Sequence, residues 1–263
     1  MSGSRAARAP DFSSVTEQPS QGATRLQMSM LRTRYGWAAD HAAGKDVLEA
    51  ACGAGLGLGW LAERARRVEA GDIDEDNCRI ARATYHGQAN LGIGRIDALD
   101  LPFEARSFDV VLLFEALYYL PDVAQFLTEA KRVLRADGRL LISTVNCEWS
   151  GFHPSPFHTR YWAAGELVEK LQQAGFEARA FAAFPERDAR GLRNLLKTMA
   201  ARGGCLPRTM RGRAVLKRIF YGPLERIPPR LGATELRERM IPANRAADLT
   251  RYRNLYFECR SAA

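Results

Sequence analysis

The sequence has few cysteines and no long apolar run, and each absence limits the class of protein. Its five cysteines are scattered over 263 residues without a Cys-x-x-Cys pair, so we expect neither a disulfide framework nor a structural zinc site. The longest apolar runs, such as residues 110–114, are far too short to span a membrane. Residues 1–24 lack the apolar stretch of a secretory signal, and a cytoplasmic location is the expectation.

The sequence also lacks a His/carboxylate cluster with metal-ligand spacing, so no metal is expected. Its net charge of +8 is unevenly distributed. Residues 186–239 hold fourteen Lys/Arg against five Asp/Glu, which leaves the rest of the chain close to neutral. A solvated arginine-rich surface and a site for an anionic partner both explain this segment, and both interpretations stay open.

A glycine-dense loop at residues 53–57 is the most informative feature of the chain. It follows a short apolar run at residues 46–51 and precedes a helical pattern that begins at Leu58. Strand, glycine turn and helix in that order form a cofactor-binding crevice at the carboxyl end of a strand. Glycine lets the backbone turn sharply and lets a ligand approach closely. The pattern therefore predicts nucleotide-type binding.

Strand and helix patterns alternate along the rest of the core. Strands are predicted at 68–73, 95–97, 108–115, 139–146, 177–184 and 251–258, and helices at 24–41, 74–85, 123–134 and 164–174. This alternation predicts an α/β fold with a doubly wound, mostly parallel sheet and an N-terminal helix.

Three regions are expected from the composition and the periodicity. Residues 1–23 form a disordered or extended N-terminal segment, with the first dozen residues as a disordered tail. Residues 24–184 and 251–263 form the core. Residues 185–250 form a basic, proline-punctuated insertion before the last strand, with helical pieces such as residues 214–220. We expect this insertion to serve as a lid or an acceptor platform.

Four motifs follow one another in the core. They are Val47-Leu-Glu-Ala-Ala-Cys-Gly-Ala-Gly, Gly71-Asp-Ile-Asp, Asp97-Ala-Leu-Asp-Leu-Pro-Phe leading into Ser107-Phe-Asp-Val-Val, and Lys131-Arg-Val-Leu-Arg-Ala-Asp-Gly-Arg-Leu-Leu-Ile. Over about residues 44–184 and the C-terminal strand, their order and spacing resemble class I S-adenosylmethionine-dependent methyltransferases. The resemblance implies a seven-stranded Rossmann-like sheet whose last strand is antiparallel and inserted beside the fifth.

The resemblance also implies how S-adenosylmethionine is held. Asp72 would accept hydrogen bonds from both ribose hydroxyls, and Asp97 would accept a hydrogen bond from the adenine amino group. The remaining cofactor-binding residues expected from the resemblance are Tyr35, Glu49, Ala51, Gly53, Gly55, Ile73, Ala98 and Phe114. Of these, Glu49 and the backbone of the glycine loop would hold the methionine part, and Ile73 would pack on the adenine. Tyr35 and Glu17 would close over the cofactor.

Methyl transfer is an in-line displacement, so most of the enzyme's work is alignment of the reacting groups. A hydroxyl acceptor also benefits from a general base, whereas a nitrogen acceptor need only be presented neutral. Candidate side chains follow the fourth and fifth predicted strands. His153 is the leading base, and Glu115 and Tyr119 are the other catalytic candidates. Further polar and aromatic groups in the same two loops are Tyr118, Asn146, Trp149 and His158.

Several functions stay open from the sequence. The leading prediction is methyl transfer to oxygen or nitrogen of a small molecule such as a sugar, a nucleoside or another secondary metabolite, with the basic insertion engaging an anionic acceptor. A protein that binds or methylates RNA through the arginine-rich segment is the alternative. A nicotinamide-dependent oxidoreductase is disfavoured by the Asp97-Ala98 pair and the terminal strand. Non-catalytic cofactor binding is a further alternative.

Overall fold

The structure is a computed structural model of the chain, and it describes residues 12, 15–186, 223–234, 236–246 and 248–261. The predicted helical piece at 214–220 lies outside these ranges, as do residues 187–222 of the basic insertion. The predicted disordered tail also lies outside them, apart from Phe12.

Five helices and ten strands are present in the described residues. The helices are α1 (Arg25–Ala42), α2 (Leu58–Arg64), α3 (Glu75–Thr84), α4 (Val123–Val133) and α5 (Ala164–Gln173). The strands are β1 (Gly22–Ala23), β2 (Asp46–Glu49), β3 (Arg67–Asp72), β4 (Leu91–Arg95), β5 (Phe108–Phe114), β6 (Leu134–Val145), β7 (Phe176–Pro185), β8 (Glu225–Arg226), β9 (Ile241–Pro242) and β10 (Tyr252–Ser261).

The main sheet has the strand order β4-β3-β2-β5-β6-β10-β7-β9. Strands β2 to β6 pair in parallel, and β10 runs antiparallel between β6 and β7. Seven strands in this order confirm the predicted fold, and the two-residue β9 adds an eighth at one edge. The strand order reverses between β2 and β5. Open α/β sheets bind ligands at such a switch point, outside the carboxyl ends of the strands.

Apolar layers cover both faces of this sheet. One buried cluster joins α1, α2 and α3 to the strands and includes Leu31, Leu61 and Val47. The other joins α4 and α5 to the opposite face and includes Phe126 and Leu48. Neighbouring residues of β2 therefore point into different layers, as expected for strands that are buried on both sides.

Side-chain caps set where α1 begins. Thr24 Oγ1 accepts from the Gln27 backbone N–H at 3.2 Å, and the Gln27 side chain accepts from the Thr24 N–H at 2.9 Å. This reciprocal pair satisfies two helix-terminal donors. It also fixes the point at which the preceding segment, residues 15–23, enters the fold.

Two predicted strands have the wrong bounds. The third strand, predicted at 95–97, is β4 at Leu91–Arg95, and its glycines concealed the strand pattern. A Cβ on Gly92 would lie 2.1 Å from a carboxylate oxygen of the Glu69 side chain of β3, which can move aside, and nothing lies within 4 Å of the Cβ position of Gly94. The fifth strand, predicted from residue 139, begins at Leu134, because an irregularity in the β5–β6 pairing lets the strand continue through the predicted turn.

The described part of the basic insertion packs against α1 and α2. Ile227 and Leu231 are buried in the cluster that contains those helices, and the Leu231 N–H donates to the Leu56 carbonyl at 2.8 Å. Arg237 pairs with Asp40 of α1 at 2.7 Å. Residues 223–234 and 236–246 contain short strands and a 3₁₀ turn, and none of these described residues is in an α-helix. Among the helices described here, none is long and apolar enough to cross a membrane.

Candidate functional site

A cavity of about 640 Å³ lies at the switch point of the sheet. Its volume is within the range of ligand-binding pockets. The lining comes from the loops after β2, β3, β4 and β5, from α1, from the N-terminal segment and from the start of β10. Elements far apart in the sequence therefore converge on one site.

The glycine loop forms the floor of the cavity beside β3. Gly53 and Gly55 have φ values of +54° and +77°, a backbone conformation that favours glycine. The Gly53 N–H donates to Asp72 Oδ2 at 2.9 Å, and the Cys52 N–H donates to the Gly71 carbonyl at 2.8 Å. These two bonds hold the loop against the end of β3.

Asp72 is fixed in place at the carboxyl end of β3. Its Oδ1 accepts from the Asp74 N–H at 3.0 Å and from Asn77 Nδ2 at 3.3 Å. The residue is only 7% exposed, and this burial raises the pKa of its carboxyl group. A carboxylate held by three donors at the cavity wall can accept further hydrogen bonds from ligand hydroxyls through its remaining lone pairs.

The far end of the cavity combines an acid with an uncovered apolar side chain. Ile73 lines the cavity and is 41% exposed, which is high for a large aliphatic residue. Asp97 and Ala98 line the cavity beside it, and Asp97 Oδ1 accepts from the Leu99 N–H at 2.9 Å. An apolar ring with a donor at its edge fits this combination.

Glu49 lies behind the glycine loop and does not line the cavity. It is fully buried, and its Oε1 accepts from the Tyr35 hydroxyl at 2.8 Å. Its Oε2 has no hydrogen-bond partner among the described residues. Burial raises the pKa of Glu49 to about 7. The Tyr35 ring in turn packs edge-on against Phe114 at a centroid distance of 5.8 Å, and both rings line the cavity.

Glu115 stands at the other end of the cavity, directly after β5. Its φ of +52° is strained for a residue with a side chain. Its Oε1 accepts from Asn254 Nδ2 at 3.1 Å and from Ser143 Oγ at 3.3 Å, whereas its Oε2 receives only a long contact, 3.4 Å, from the Tyr118 hydroxyl. Burial raises the pKa of Glu115. The carboxyl group thus has one well-bonded oxygen and one less engaged oxygen.

An ion pair closes the wall between these groups. Arg34 of α1 pairs with Glu17 of the N-terminal segment. Burial alone would lower the pKa of Arg34, but Glu17, Tyr35 and Glu115 together raise it. The described lining contains four carboxylates and two arginines, a formal charge of −2, and so favours a cationic ligand.

The structure brings most of the predicted site residues together. The predicted residues that line the cavity are Glu17, Tyr35, Ala51, Gly53, Asp72, Ile73, Asp97, Ala98, Phe114, Glu115, Tyr118, Tyr119 and Trp149. Glu49, which precedes the glycine loop, and Gly55, within the loop, do not line the cavity. His153, the leading base in the sequence, is exposed outside the cavity, with Nδ1 at 2.9 Å from the Gly151 carbonyl.

Two other predicted residues have roles outside the cavity. The side chain of Asn146 is buried and donates to the carbonyls of Leu249 and Tyr252, so it joins β6 to the approach of β10. His158 is exposed, with Nδ1 at 2.7 Å from the Ser155 carbonyl. Among the described residues, no group of three or more His, Cys, Asp or Glu could hold a metal ion.

The fold adds several residues to the site that the sequence motifs did not predict. The cavity is also lined by Thr16, Arg34, Arg253 and Asn254, and Asn77 contacts Asp72 from behind. None of them belongs to one of the four motifs. Asn254, for example, contacts Glu115, which is 139 positions away in the sequence.

Comparison with known proteins agrees with the geometry. Residues 48–142 match the family model described as a methyltransferase domain. A probable S-adenosylmethionine-dependent methyltransferase of Mycolicibacterium smegmatis is 43% identical over 145 residues, covering 53% of this chain and 54% of that protein. A fatty-acid O-methyltransferase of the same organism is 40% identical over 100 residues, covering 37% and 36%. The chain thus spans about half or less of the length of these curated relatives.

A solved structure extends the similarity beyond the matched domain. The cyclase SpnF superimposes with a TM-score of 0.60 at 17% identity, covering 94% of this chain and 86% of that one. At this identity the likeness shows the fold alone. Because that neighbour is a cyclase, the fold by itself does not specify methyl transfer.

Fold and site define an α/β protein with a nucleoside-type cavity at its switch point. Within that class, residues 48–142 match the methyltransferase-domain model, and a probable S-adenosylmethionine-dependent methyltransferase is similar to about half of the chain. The relatives indicate S-adenosylmethionine as the cofactor, and the donor set fits it: fixed carboxylates at Asp72 and Asp97, an uncovered Ile73, and a negatively charged lining for a sulfonium.

Proposed function

We propose that this chain catalyses methyl transfer from S-adenosylmethionine to a hydroxyl oxygen of a small molecule. One observation carries the proposal: in the matched domain, Asp72 and the glycine loop are bonded to each other at the floor of the switch-point cavity. That pairing supports recognition of a ribose beside a methionine group, which the first and second sequence motifs imply.

The residues of the cavity share the work of binding and orientation. Asp72 accepts hydrogen bonds from the ribose hydroxyls, Asp97 accepts a hydrogen bond from the adenine amino group, and Ile73 packs against the base. Glu49 does not line the cavity, and its negative charge favours the ammonium group from behind the cavity wall, where its Oε2 lacks a partner in the described structure. When bound, the cofactor supplies an electrophilic methyl group whose sulfur leaving group is already activated. The enzyme therefore contributes mainly alignment.

Glu115 accepts the proton of the acceptor hydroxyl in this proposal. Asn254 and Ser143 hold Oε1, so Oε2 is the oxygen that takes the proton as the new C–O bond forms and the C–S electron pair goes to sulfur. A carboxyl group with a raised pKa is the stronger base. The strained backbone of Glu115 is the kind of feature that clusters at functional sites.

A neutral hydroxyl compound suits the described cavity better than an anion, because the lining carries net negative charge. The relative named a fatty-acid O-methyltransferase also supports oxygen as the accepting atom. An anionic acceptor and RNA both depend on the arginine-rich segment, most of which lies outside the described residues. The four described cysteines are unpaired, which suits a reducing compartment, and we keep the cytoplasm as the proposed location.

A matched set of acceptors tests the accepting atom. Formation of S-adenosylhomocysteine is measured with 1-decanol, decanoic acid and decylamine, and in parallel with a nucleoside, a methyl glycoside and a short RNA. We expect turnover with hydroxyl compounds. Turnover confined to the carboxylic acid, the amine or the RNA would contradict the proposal.

The Glu115→Gln variant tests the proton acceptor. Glutamine keeps the size of the side chain and its bond to Asn254 but does not take a proton, so kcat should fall by about 100-fold or more. The affinity for S-adenosylmethionine should be unchanged. Glu169→Gln, at an exposed position on α5, is the matched control and should behave like the wild type. If Glu115→Gln stayed active while His153→Ala lost turnover, the base would be His153.

A further inference from the structure

A short N-terminal segment lies across the cavity, and we define residues 15–21 as the N-terminal strap. We propose that Asn77 couples cofactor binding at Asp72 to closure of this strap and so acts as a positioning residue for the cofactor site. The inference rests on the proposed function, since it takes Asp72 as the ribose-binding group.

The Asn77 side chain connects the two parts directly. It is fully buried, and its Nδ2 donates to Asp72 Oδ1 at 3.3 Å and to Thr16 Oγ1 at 3.4 Å. Its Oδ1 accepts from Gln18 Nε2 at 2.9 Å. One planar amide therefore contacts the carboxylate on one side and the strap on the other, and its orientation is set by both.

The strap is a wall of the cavity. Val15, Thr16 and Glu17 all line it, and a Cβ placed on Gly53 would lie 2.7 Å from the methyl carbon of Thr16. The strap thus lies directly against the glycine loop that the methionine group is expected to contact. A ligand that contacts both the loop and Asp72 therefore lies beneath the strap.

The strap is fastened unequally along its length. At its end, the Ser20 N–H donates to the Ile227 carbonyl at 2.8 Å, and β1 pairs with β8. Over residues 15–19, the backbone hydrogen bonds within the described chain stay inside the N-terminal segment itself. Near the cavity, polar contacts to the core come from side chains: Gln18 and Thr16 to Asn77, and Glu17 to Arg34. In our proposal this half opens around its anchored end.

Coupling follows from the shared amide. A ribose bound to Asp72 fixes that carboxylate, which keeps Nδ2 of Asn77 directed at it and leaves Oδ1 directed at Gln18. Because coupling between two sites is reciprocal, a strap that raises the affinity for the cofactor must itself be closed by the cofactor to the same extent.

Cleavage by a glutamate-specific protease after Glu17 measures opening of the strap. Peptide cleavage needs local opening, and its rate follows the open population when closing is fast. The fragment that begins at Gln18 is quantified by mass spectrometry with and without S-adenosylhomocysteine, and the Kd of that ligand is measured by calorimetry. In the wild type, saturating ligand should slow cleavage at this site at least tenfold.

The Gln18→Ala variant removes one hydrogen bond from a half-buried side chain and leaves Asn77 in the core. We expect the Kd to rise about three- to tenfold and the protection factor to fall by a similar ratio. Asn77→Ala should raise the Kd and lower the protection factor further. Gln173→Ala, on the exposed face of α5, should change neither quantity.

Two results separate failure of this inference from failure of the proposed function. Unchanged affinity or unchanged protection in Gln18→Ala, with wild-type binding intact, overturns the coupling alone. A wild-type protein that binds no S-adenosylhomocysteine overturns the cofactor site, and the coupling with it.

Discussion

Glu49 gives the sharpest pH dependence at the scale of single residues. Burial raises its pKa from 4.5 to about 7, so the folded protein binds a proton that the unfolded chain has released. Stability must therefore fall as the pH rises from about 4.5 to 7, by about 3 kcal/mol in total from this group.

The Glu49→Gln variant isolates this effect. Glutamine accepts the hydrogen bond from the Tyr35 hydroxyl but does not ionise, so the variant should gain about 2.5 kcal/mol of stability relative to the wild type between pH 5 and pH 8. Urea unfolding of the ligand-free proteins at the two pH values measures the difference. Parallel stability curves would mean that Glu49 titrates normally.

Single residues differ in how well the sequence predicts them. Asp72 and Asp97 were predictable because each lies at the carboxyl end of a predicted strand inside a motif, and the carboxyl ends of parallel strands share one edge. Arg34 and Asn254 were not, because their places in the cavity depend on how α1 and β10 pack. His153 was favoured for its residue type and loop, and neither of these determines the direction of a side chain.

At the scale of elements, periodicity predicted every strand and helix of the core, and most bounds agree within two residues. The β4 strand was placed wrongly because its two glycines, Gly92 and Gly94, remove the alternation on which strand prediction depends. The start of β6 was placed wrongly because Asp137-Gly138 has the pattern of a turn. These two residues lie inside β6, where the pairing with β5 is irregular.

The contact between α1 and α2 supplies a prediction at the same scale. Gly57 precedes α2, and a Cβ there would lie 2.1 Å from the Tyr35 ring of α1. Gly57→Ala should displace that ring from Glu49 and cost about 1–3 kcal/mol of stability. Gly165→Ala in α5 is the matched control, since nothing lies within 4 Å of its Cβ position.

Denaturant unfolding at one pH compares the two glycine variants. We expect Gly165→Ala to be neutral or to gain up to about 1 kcal/mol, as alanine is the better helix former. Equal effects from both substitutions would contradict the steric account of the α1–α2 contact.

At the scale of the whole molecule, the motifs predicted the strand order and the position of the cofactor crevice, because sheet topology fixes both. The resemblance placed Glu17 over the cofactor, but the sequence did not predict that the rest of residues 15–21 line the cavity or that the described part of residues 223–246 packs along α1 and α2. Those placements depend on contacts between segments that lie about 200 positions apart, such as Ser20 with Ile227. No local pattern encodes a contact of that kind.

Calorimetry with S-adenosylmethionine tests the central claim most directly, using the full chain, the Asp72→Ala variant and NAD as a competing ligand. The account predicts one site on the wild type for S-adenosylmethionine, none for NAD, and loss of measurable binding in Asp72→Ala with its fold intact by circular dichroism. Wild-type affinity in Asp72→Ala, or a wild-type protein that binds NAD and is indifferent to millimolar S-adenosylmethionine, would contradict it.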